Sequence, residues 1–256
     1  NNQSSSDYAL ASYTPNTDNT TNNRKGKDDF FEATTTPGYA HSFLLTGILS
    51  PDYTDKTGDG ITEDDSGNGI KFNYSRVHQD YKWRIPVQAN RARYHEGNKS
   101  TFDDDKASYV YGGKEVWYIH SIESRTMVAQ FYTSPRKDAL GVLGENGGIS
   151  MADSMMKLDS IKLFTKAEIK ERGADASPIK AVHFEYSYKL CKKVPNHMQA
   201  NAGKLTLDAV FFTFGKSRRG ALNAYKFKYN ETSSTTSNAY EYNIGRYDRW
   251  GFLKEN

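Results

Sequence analysis

The stretch "DYTDKTGDGITEDDSGNGIKFNYSRV", from Asp52 to Val77, places six carboxylates within fourteen residues: Asp52, Asp55, Asp59, Glu63, Asp64 and Asp65. Glycines are threaded between them, and the chain then passes at once into a strand-like alternation. Oxygen donors at this density suit a hard cation. Read from Asp55, "DKTGDGITE" sets Asp55, Thr57 and Asp59 at positions one, three and five of a calcium-type loop. Gly60 at six permits the sharp turn, Ile61 at seven offers its backbone carbonyl, and Glu63 at nine adds a carboxylate. Ser66 stands at twelve, where an EF-hand has its bidentate Glu, and a strand follows in place of a helix. The loop is therefore not an EF-hand. It has the form of the shorter acidic loops of β-scaffolds, with Asp64 or Asp65 completing the shell. The expected occupant is one Ca²⁺; Mg²⁺ demands a tighter octahedron and keeps its waters. The opposing reading is a solvated acidic turn. Carboxylates this close repel one another unless something neutralises them, which favours the ion.

No other constellation is as well spaced for chemistry. His41, His78, His95, His120, His183 and His197 form no HxH or HxxxH pair, so a zinc site would need assembly by the fold. The glycine-rich "GENGG" at Gly144–Gly148 lacks the lysine and serine of a phosphate loop. There is no G-x-S-x-G elbow. The single cysteine, Cys191, excludes an internal disulfide. Lysines and His197 near it would lower a thiol pKa, but the favoured reading is an ordinary strand-end cysteine. Asp103, Asp104 and Asp105 lack glycines and ligand spacing and read as a solvated loop. Trp83, Trp117 and Trp250 are candidates for stacking on sugars, against the plainer reading as core or interface rings. Paired carboxylates for glycoside hydrolysis are a matter of three-dimensional separation.

These residues must be positioned by strands. The chain has 256 residues, a net charge of +3, and 18 Tyr, 13 Phe and 3 Trp. Flat rings suit a pleated, half-buried surface. Acids and bases are interspersed, so no nucleic-acid footprint stands out, and the basic run Lys216–Arg219 reads as a turn. No stretch approaches a membrane span. "YAHSFLLTGILS" (Tyr39–Ser50) and "GIKFNYSRV" carry strand signals. "KEVWYIHSIES" and "RTMVAQFYTS" meet near Glu123–Arg125 as a hairpin, and "LDSIKLFTK" is a further strand. In "PIKAVHFEYSYKL", Val182, Phe184, Tyr186, Tyr188 and Leu190 share one face. "GKLTLDAVFFTFG" and "LNAYKFKYN" follow. The one helix signal is "TKAEIKERGAD", with Thr165 as cap, Glu168 three residues on, and Gly173 as stop.

Strand after strand with almost no helix predicts a mainly β fold, an antiparallel β-sandwich or curved β-sheet shell segment with one short helix. Three regions are expected: a polar lead-in over 1–38, flexible or pinned by its neighbours; a β-rich region with the acidic loop over 39–150; and a second β-rich region over 151–256.

The order of strands and turns in "HFEYSYKLCKKVPNHMQANAGKLTLDAVFFTFGKSRRGALNAYKFKYN" resembles the strand series of SpvB-like and Tc-toxin B-component proteins, relatives of the RHS/YD-repeat proteins. "YDRWGFL" is similar to one YD motif through Tyr247, Asp248, Gly251 and Leu253. "DKTGDGITED" is similar to the calcium loops of the propeller-type repeats such proteins carry. The chain also resembles segments of very large surface or secreted proteins of Bacteroidota, with "DSM" (Asp153–Met155) and "DSI" (Asp159–Ile161) similar to O-glycosylation sites of that phylum. The resemblance covers about residues 40–75 and 155–256. It implies a non-enzymatic scaffold segment of a large extracellular or cell-surface protein, packed against neighbouring β-domains of the same polypeptide and a toxin or effector segment that they enclose. The alternatives are a carbohydrate-binding module, with a glycan as ligand, and, further off, a glycoside hydrolase.

Overall fold

The computed structural model describes residues 10–24, 31–94, 107–229 and 241–244. The fold is mainly β, as the strand pattern predicts. Its strands are β1 (Leu10–Ser12), β2 (Gly47–Leu49), β3 (Gly69–Ile85), β4 (Arg91–Tyr94), β5 (Ala107–Ser108), β6 (Val110–Glu123), β7 (Met127–Val142), β8 (Ile149–Thr165), β9 (Lys180–Leu190), β10 (Lys204–Phe214) and β11 (Tyr225–Lys226). One helix, α1 (Lys166–Arg172), runs on into a 3-10 turn at Gly173–Asp175. A small sheet has the order β1-β4-β5 and a large one β11-β10-β9-β8-β7-β6-β3-β2; every pairing is antiparallel, and neither sheet closes into a barrel. The large sheet runs unbroken past residue 150, because β7 and β8 pair across that point.

The large sheet is continuous only at its base. One row crosses it from Phe72 to Ile122, Ala129, Leu163, Lys180 and Phe214. Beyond the base the strands part. β6 and β7 pair only from Ser121↔Gln130 to Glu123↔Val128, and β8 and β9 only from Ser160↔His183 to Leu163↔Lys180. Three arms result: β3–β6, β7–β8 and β9–β10. Pro135 lies in β7 just past the split, where a residue without an N–H could not bond to β6 in any case.

The arms lean on one another, and the core lies where they meet. Between the first two, Tyr81, Val116, Leu140 and Val142 are buried. The Tyr81 hydroxyl donates to the Ala139 carbonyl at 3.1 Å, and the Tyr118 hydroxyl accepts the Met156 N–H at 2.9 Å. Between the second and third, the Tyr186 hydroxyl donates to the Leu158 carbonyl at 2.9 Å, and that of Tyr188 accepts the Lys137 N–H at 3.0 Å. Tyrosine rings thus supply both apolar bulk and inter-arm hydrogen bonds, which explains their number in the sequence. At the base, one face buries Val128, Phe164, Ala181 and Phe211. The opposite face carries Phe72, Ile122, Phe131, Ile161, Val182 and Phe212, all only half-buried.

The local readings fare unevenly. The hairpin turn lies at Ser124–Met127, closed by the Ser124 N–H to the Met127 carbonyl at 2.9 Å. Thr165 caps α1 by accepting the Glu168 N–H at 3.1 Å, and Gly173 ends it with φ +54°. Glu168 does not complete the reciprocal box; its carboxylate accepts the Ser177 N–H at 3.0 Å and pairs with Arg172. The strand expected over Tyr39–Ser50 shrinks to β2, with Tyr39–Leu45 exposed and outside any strand. That of "LNAYKFKYN" shrinks to the two residues of β11, after a 3-10 turn at Arg219–Asn223. The YD-like Tyr247–Leu253, Asp103–Asp105, His95 and Trp250 lie outside the described residues.

Within the polar lead-in, Tyr13 is pinned. Its N–H donates to the Asn90 carbonyl at 3.1 Å and its hydroxyl to Asn146 Oδ1 at 3.0 Å. Its ring stacks on Tyr109 with centroids 5.6 Å apart. Arg84, only 2% exposed, lies over the Tyr109 ring at 4.3 Å and donates to the carbonyls of Glu145 (2.6 Å) and Pro86 and to the Tyr13 hydroxyl (3.0 Å). A buried guanidinium on carbonyls and π faces ties the small sheet and the lead-in to the end of β3.

Candidate functional site

The acidic loop spans Asp52–Ser66, bridged at its neck by Thr54↔Ser66. Its carboxylates fall into three groups. Asp55 accepts the N–H groups of Thr57 (3.2 Å), Gly58 (2.7 Å) and Gly60 (3.0 Å), folding the loop back on itself. Gly58 and Gly60 have φ of +76° and +90°, which only glycine adopts freely, so the glycine spacing is what makes this wrap feasible. Thr57 Oγ1 donates to Asp59 Oδ1 at 2.6 Å, and Thr62 Oγ1 lies 3.4 Å from Asp59 Oδ1 and 2.6 Å from Asp64 Oδ1. One chain of side-chain oxygens therefore links Thr57, Asp59, Thr62 and Asp64, with Asp55 beneath it. The Thr62 hydroxyl holds Asp64 below the usual carboxylate range.

Asp65 turns the other way. It is 5% exposed and accepts the Tyr53 hydroxyl at 2.7 Å and the N–H groups of Thr62 (2.9 Å) and Lys56 (3.2 Å). The Tyr53 hydrogen bond, before the others, lowers its pKa; reciprocally the Tyr53 phenol is pushed up to about 12. Asp65 is the clamp that fixes the loop. Glu63 is exposed and pairs with Lys166 at 3.4 Å; Lys166 also reaches Glu123 at 3.5 Å. The Ile61 side chain packs over the edge of the sheet, so close that a Cβ on Gly47 would lie 2.6 Å from its Cδ1.

Of the expected ligands, the structure links Thr57, Asp59 and Asp64 through the Thr57 and Thr62 hydroxyls, and ties Asp55 to the backbone of the same turn. It turns Asp65 inward and Glu63 toward Lys166. Among the described residues no group of three or more His, Cys, Asp or Glu side chains is arranged to hold a metal ion. Much of the loop's charge is met by its own N–H and O–H donors. The side-chain oxygens of Asp55, Thr57 and Asp59 fit a hard cation in type. A full shell requires Glu63 to leave Lys166.

One further cluster, around Asp138, was not singled out from the sequence. Asp138 has no exposed surface; it takes a two-pronged pair from Arg136 (3.0 and 2.7 Å) and the Leu205 N–H at 2.9 Å. The spacing "RKD" on one strand face was the available signal. Beside it, in the loop from Cys191 to Gly203, His197 accepts the Gln199 N–H on Nδ1 at 2.8 Å, while its buried Nε2 has no partner. Burial lowers the His197 pKa, with Asp138 opposing.

The remaining candidates are structural in their contacts. His183 stacks on Phe211 at 4.8 Å, bonds Thr213 Oγ1 at 2.8 Å, and has its pKa lowered by burial. Burial pushes the Cys191 thiol up, opposite to what an activated nucleophile needs. The Trp117 ring carries Arg76 at 5.6 Å over its face, and that of Trp83 lies against Gly112, where a Cβ would sit 3.1 Å away. Ser154 donates to the Arg136 carbonyl and Ser160 is 7% exposed, so neither serine of the glycosylation-like triplets presents a free hydroxyl.

No family model, curated protein or solved structure matches the chain.

Proposed function

We propose that this chain is a non-enzymatic structural β-module of a large secreted or cell-surface protein of the RHS or Tc-toxin type. The observation that carries this reading is an apolar face of the large sheet that the described residues leave only half-buried. Phe72, Ile122, Phe131, Ile161, Val182 and Phe212 form a surface that a free-standing domain would bury. Neighbouring β-domains of the same polypeptide are the expected cover. The titratable groups point the same way. Asp138 and Asp65 are locked in hydrogen bonds that hold other parts of the chain in place. The carbohydrate-binding alternative has less support, because Trp83 and Trp117 each have a ring face engaged within the chain. Oxidative footprinting of the isolated chain and of the longer polypeptide tests the reading. Phe131 and Phe212 should be labelled in the first and protected in the second. Equal labelling in both would sink it.

Calcium belongs to the same reading as a stabiliser of the loop, through Asp55, Thr57, Asp59 and Asp64, with Glu63, Asp65 and the Ile61 carbonyl as the further expected ligands. An ion there would fix the start of β3. By mass action it would add about 2.7 kcal/mol at a hundred times its dissociation constant. Melting with calcium should exceed melting with EGTA, and Asp59→Ala should abolish the difference. Equal melting temperatures in all cases would leave a loop neutralised by its own donors.

A further inference from the structure

The loop from Cys191 to Gly203 is held against β7 on both sides of a buried histidine. Before His197, the Asn196 carbonyl accepts the Leu140 N–H at 3.2 Å, and the Asn196 side-chain amide donates to the Leu140 carbonyl at 3.3 Å. After it, the Met198 N–H donates to the Lys137 carbonyl at 2.8 Å. His197, between these links, is 8% exposed, and its ring stands at 82° to that of Tyr188 with centroids 5.1 Å apart. The backbone of the loop is strained. Cys191, Lys193 and Asn201 have φ of +51°, +63° and +63°, a conformation that residues other than glycine hold only where their contacts enforce it.

The hydrogen bonds place the ring's proton. The Gln199 N–H donates to His197 Nδ1 at 2.8 Å, so the neutral ring carries its hydrogen on Nε2. That buried nitrogen has no acceptor among the described residues. A second proton must go to Nδ1, where it meets a backbone N–H that donates whatever the charge of the ring. The Gln199 bond is then lost, and the cation gains no partner in return. From β7 it faces Asp138, whose carboxylate is already engaged by Arg136 and the Leu205 N–H, and the like charge of Lys137. From β9 it faces Tyr188, whose hydroxyl accepts the Lys137 N–H at 3.0 Å.

We propose that this loop is an acid-released latch: when His197 takes up a proton at Nδ1, the loop leaves β7 and loosens the third arm from the second. The strained φ values relax in the same step. Burial, before other causes, holds the docked ring's pKa below the ordinary 6.5, against the pull of Asp138. A released ring has the ordinary value. The latch is therefore fully closed above pH 6.5, and the released fraction rises by up to about tenfold per pH unit below it. The inference does not depend on the scaffold reading, because it concerns contacts within the chain.

Hydrogen exchange of the full chain between about pH 8 and about pH 5, corrected for intrinsic rates, tests it. Protection of the Leu140 and Met198 amides should fall by up to about tenfold per pH unit on the acid side. His197→Asn keeps an acceptor where Nδ1 stands, in the arrangement by which asparagine bonds the N–H two residues on, and it cannot take up the proton. Its protection should stay level. Level protection in the unaltered chain overturns the proposal, as does an equal fall in His197→Asn. Equal protection at Met198 and Ala129 also overturns it, because the loop would then open only with the whole sheet. Nitrogen-15 shifts of the His197 ring check the starting state without a variant: the Nε2–H form is expected at the alkaline end, and the Nδ1–H form would overturn the latch.

Discussion

Asp138 has no exposed surface, yet its carboxyl lies below the usual carboxylate range. Burial by itself pushes it up; the two-pronged Arg136 guanidinium, the Leu205 N–H and the Arg136 charge outweigh that. Because the folded pKa is depressed, the contribution to stability is complete above the carboxylate's ordinary pKa of 3.8. It is lost as pH falls further, when the unfolded chain takes up the proton first. Asp138→Ala strips partners from Arg136 and the Leu205 N–H together and should cost about 3 kcal/mol at neutral pH. Asp138→Asn should flatten the fall in stability on the acid side. Urea melts from neutral pH to about pH 2 check both, and a wild-type-like acid limb in Asp138→Asn would contradict the assignment. At this scale the sequence was legible in part. The carboxylates of the acidic loop announced themselves by density, and the glycines announced the turn. The spacing did not announce that Asp65 turns in toward Tyr53 across the loop's neck, because that depends on how the loop closes, or that Glu63 finds Lys166, because that partner is set by tertiary placement.

Among the elements, the loop from Cys191 to Gly203 couples the second and third arms. The Leu140 N–H donates to the Asn196 carbonyl at 3.2 Å and the Met198 N–H to the Lys137 carbonyl at 2.8 Å. The loop returns to the sheet through Gly203, whose N–H donates to the Tyr188 carbonyl at 3.0 Å and where a Cβ would lie 2.0 Å from the Leu190 carbonyl oxygen. That contact is with backbone and cannot be relieved by a rotamer change. Gly203→Ala should therefore cost about 1–3 kcal/mol, the range for overpacking. Gly144→Ala, at a site with open space around it, is the matched control. Equal denaturant midpoints for the two would refute the packing argument. Strand identity was legible wherever period-two alternation was long, as in β9 and β10. It was least so in Tyr39–Ser50 and Leu222–Tyr229, where strand-like composition is present but only three and two residues join a strand. Propensity marks what can pair, and the neighbouring strand decides what does.

In the whole molecule, the split of one sheet into three arms was not legible at all. It depends on where β6 leaves β7 and β8 leaves β9, and the strand pattern runs straight through both points. The split divides the backbone amides by what must open to expose them. At the base, Ile122, Ala129, Ile161 and Val182 belong to strands flanked on both sides, so freeing them disrupts several strands at once. Along Val110–His120, β6 has β3 on one side and, among the described residues, no paired strand on the other. Its outer amides therefore need no neighbouring strand to separate before they meet solvent. Native-state hydrogen exchange should sort accordingly: the base amides should exchange only with global unfolding and the outer β6 amides by sub-global opening at much lower free energy. Denaturant-dependent exchange followed residue by residue would read this out, and a single opening energy for β6 and the base would contradict it. The molecule then has a hub whose opening unfolds the whole sheet, and a first arm whose outer edge can open while the hub stays shut.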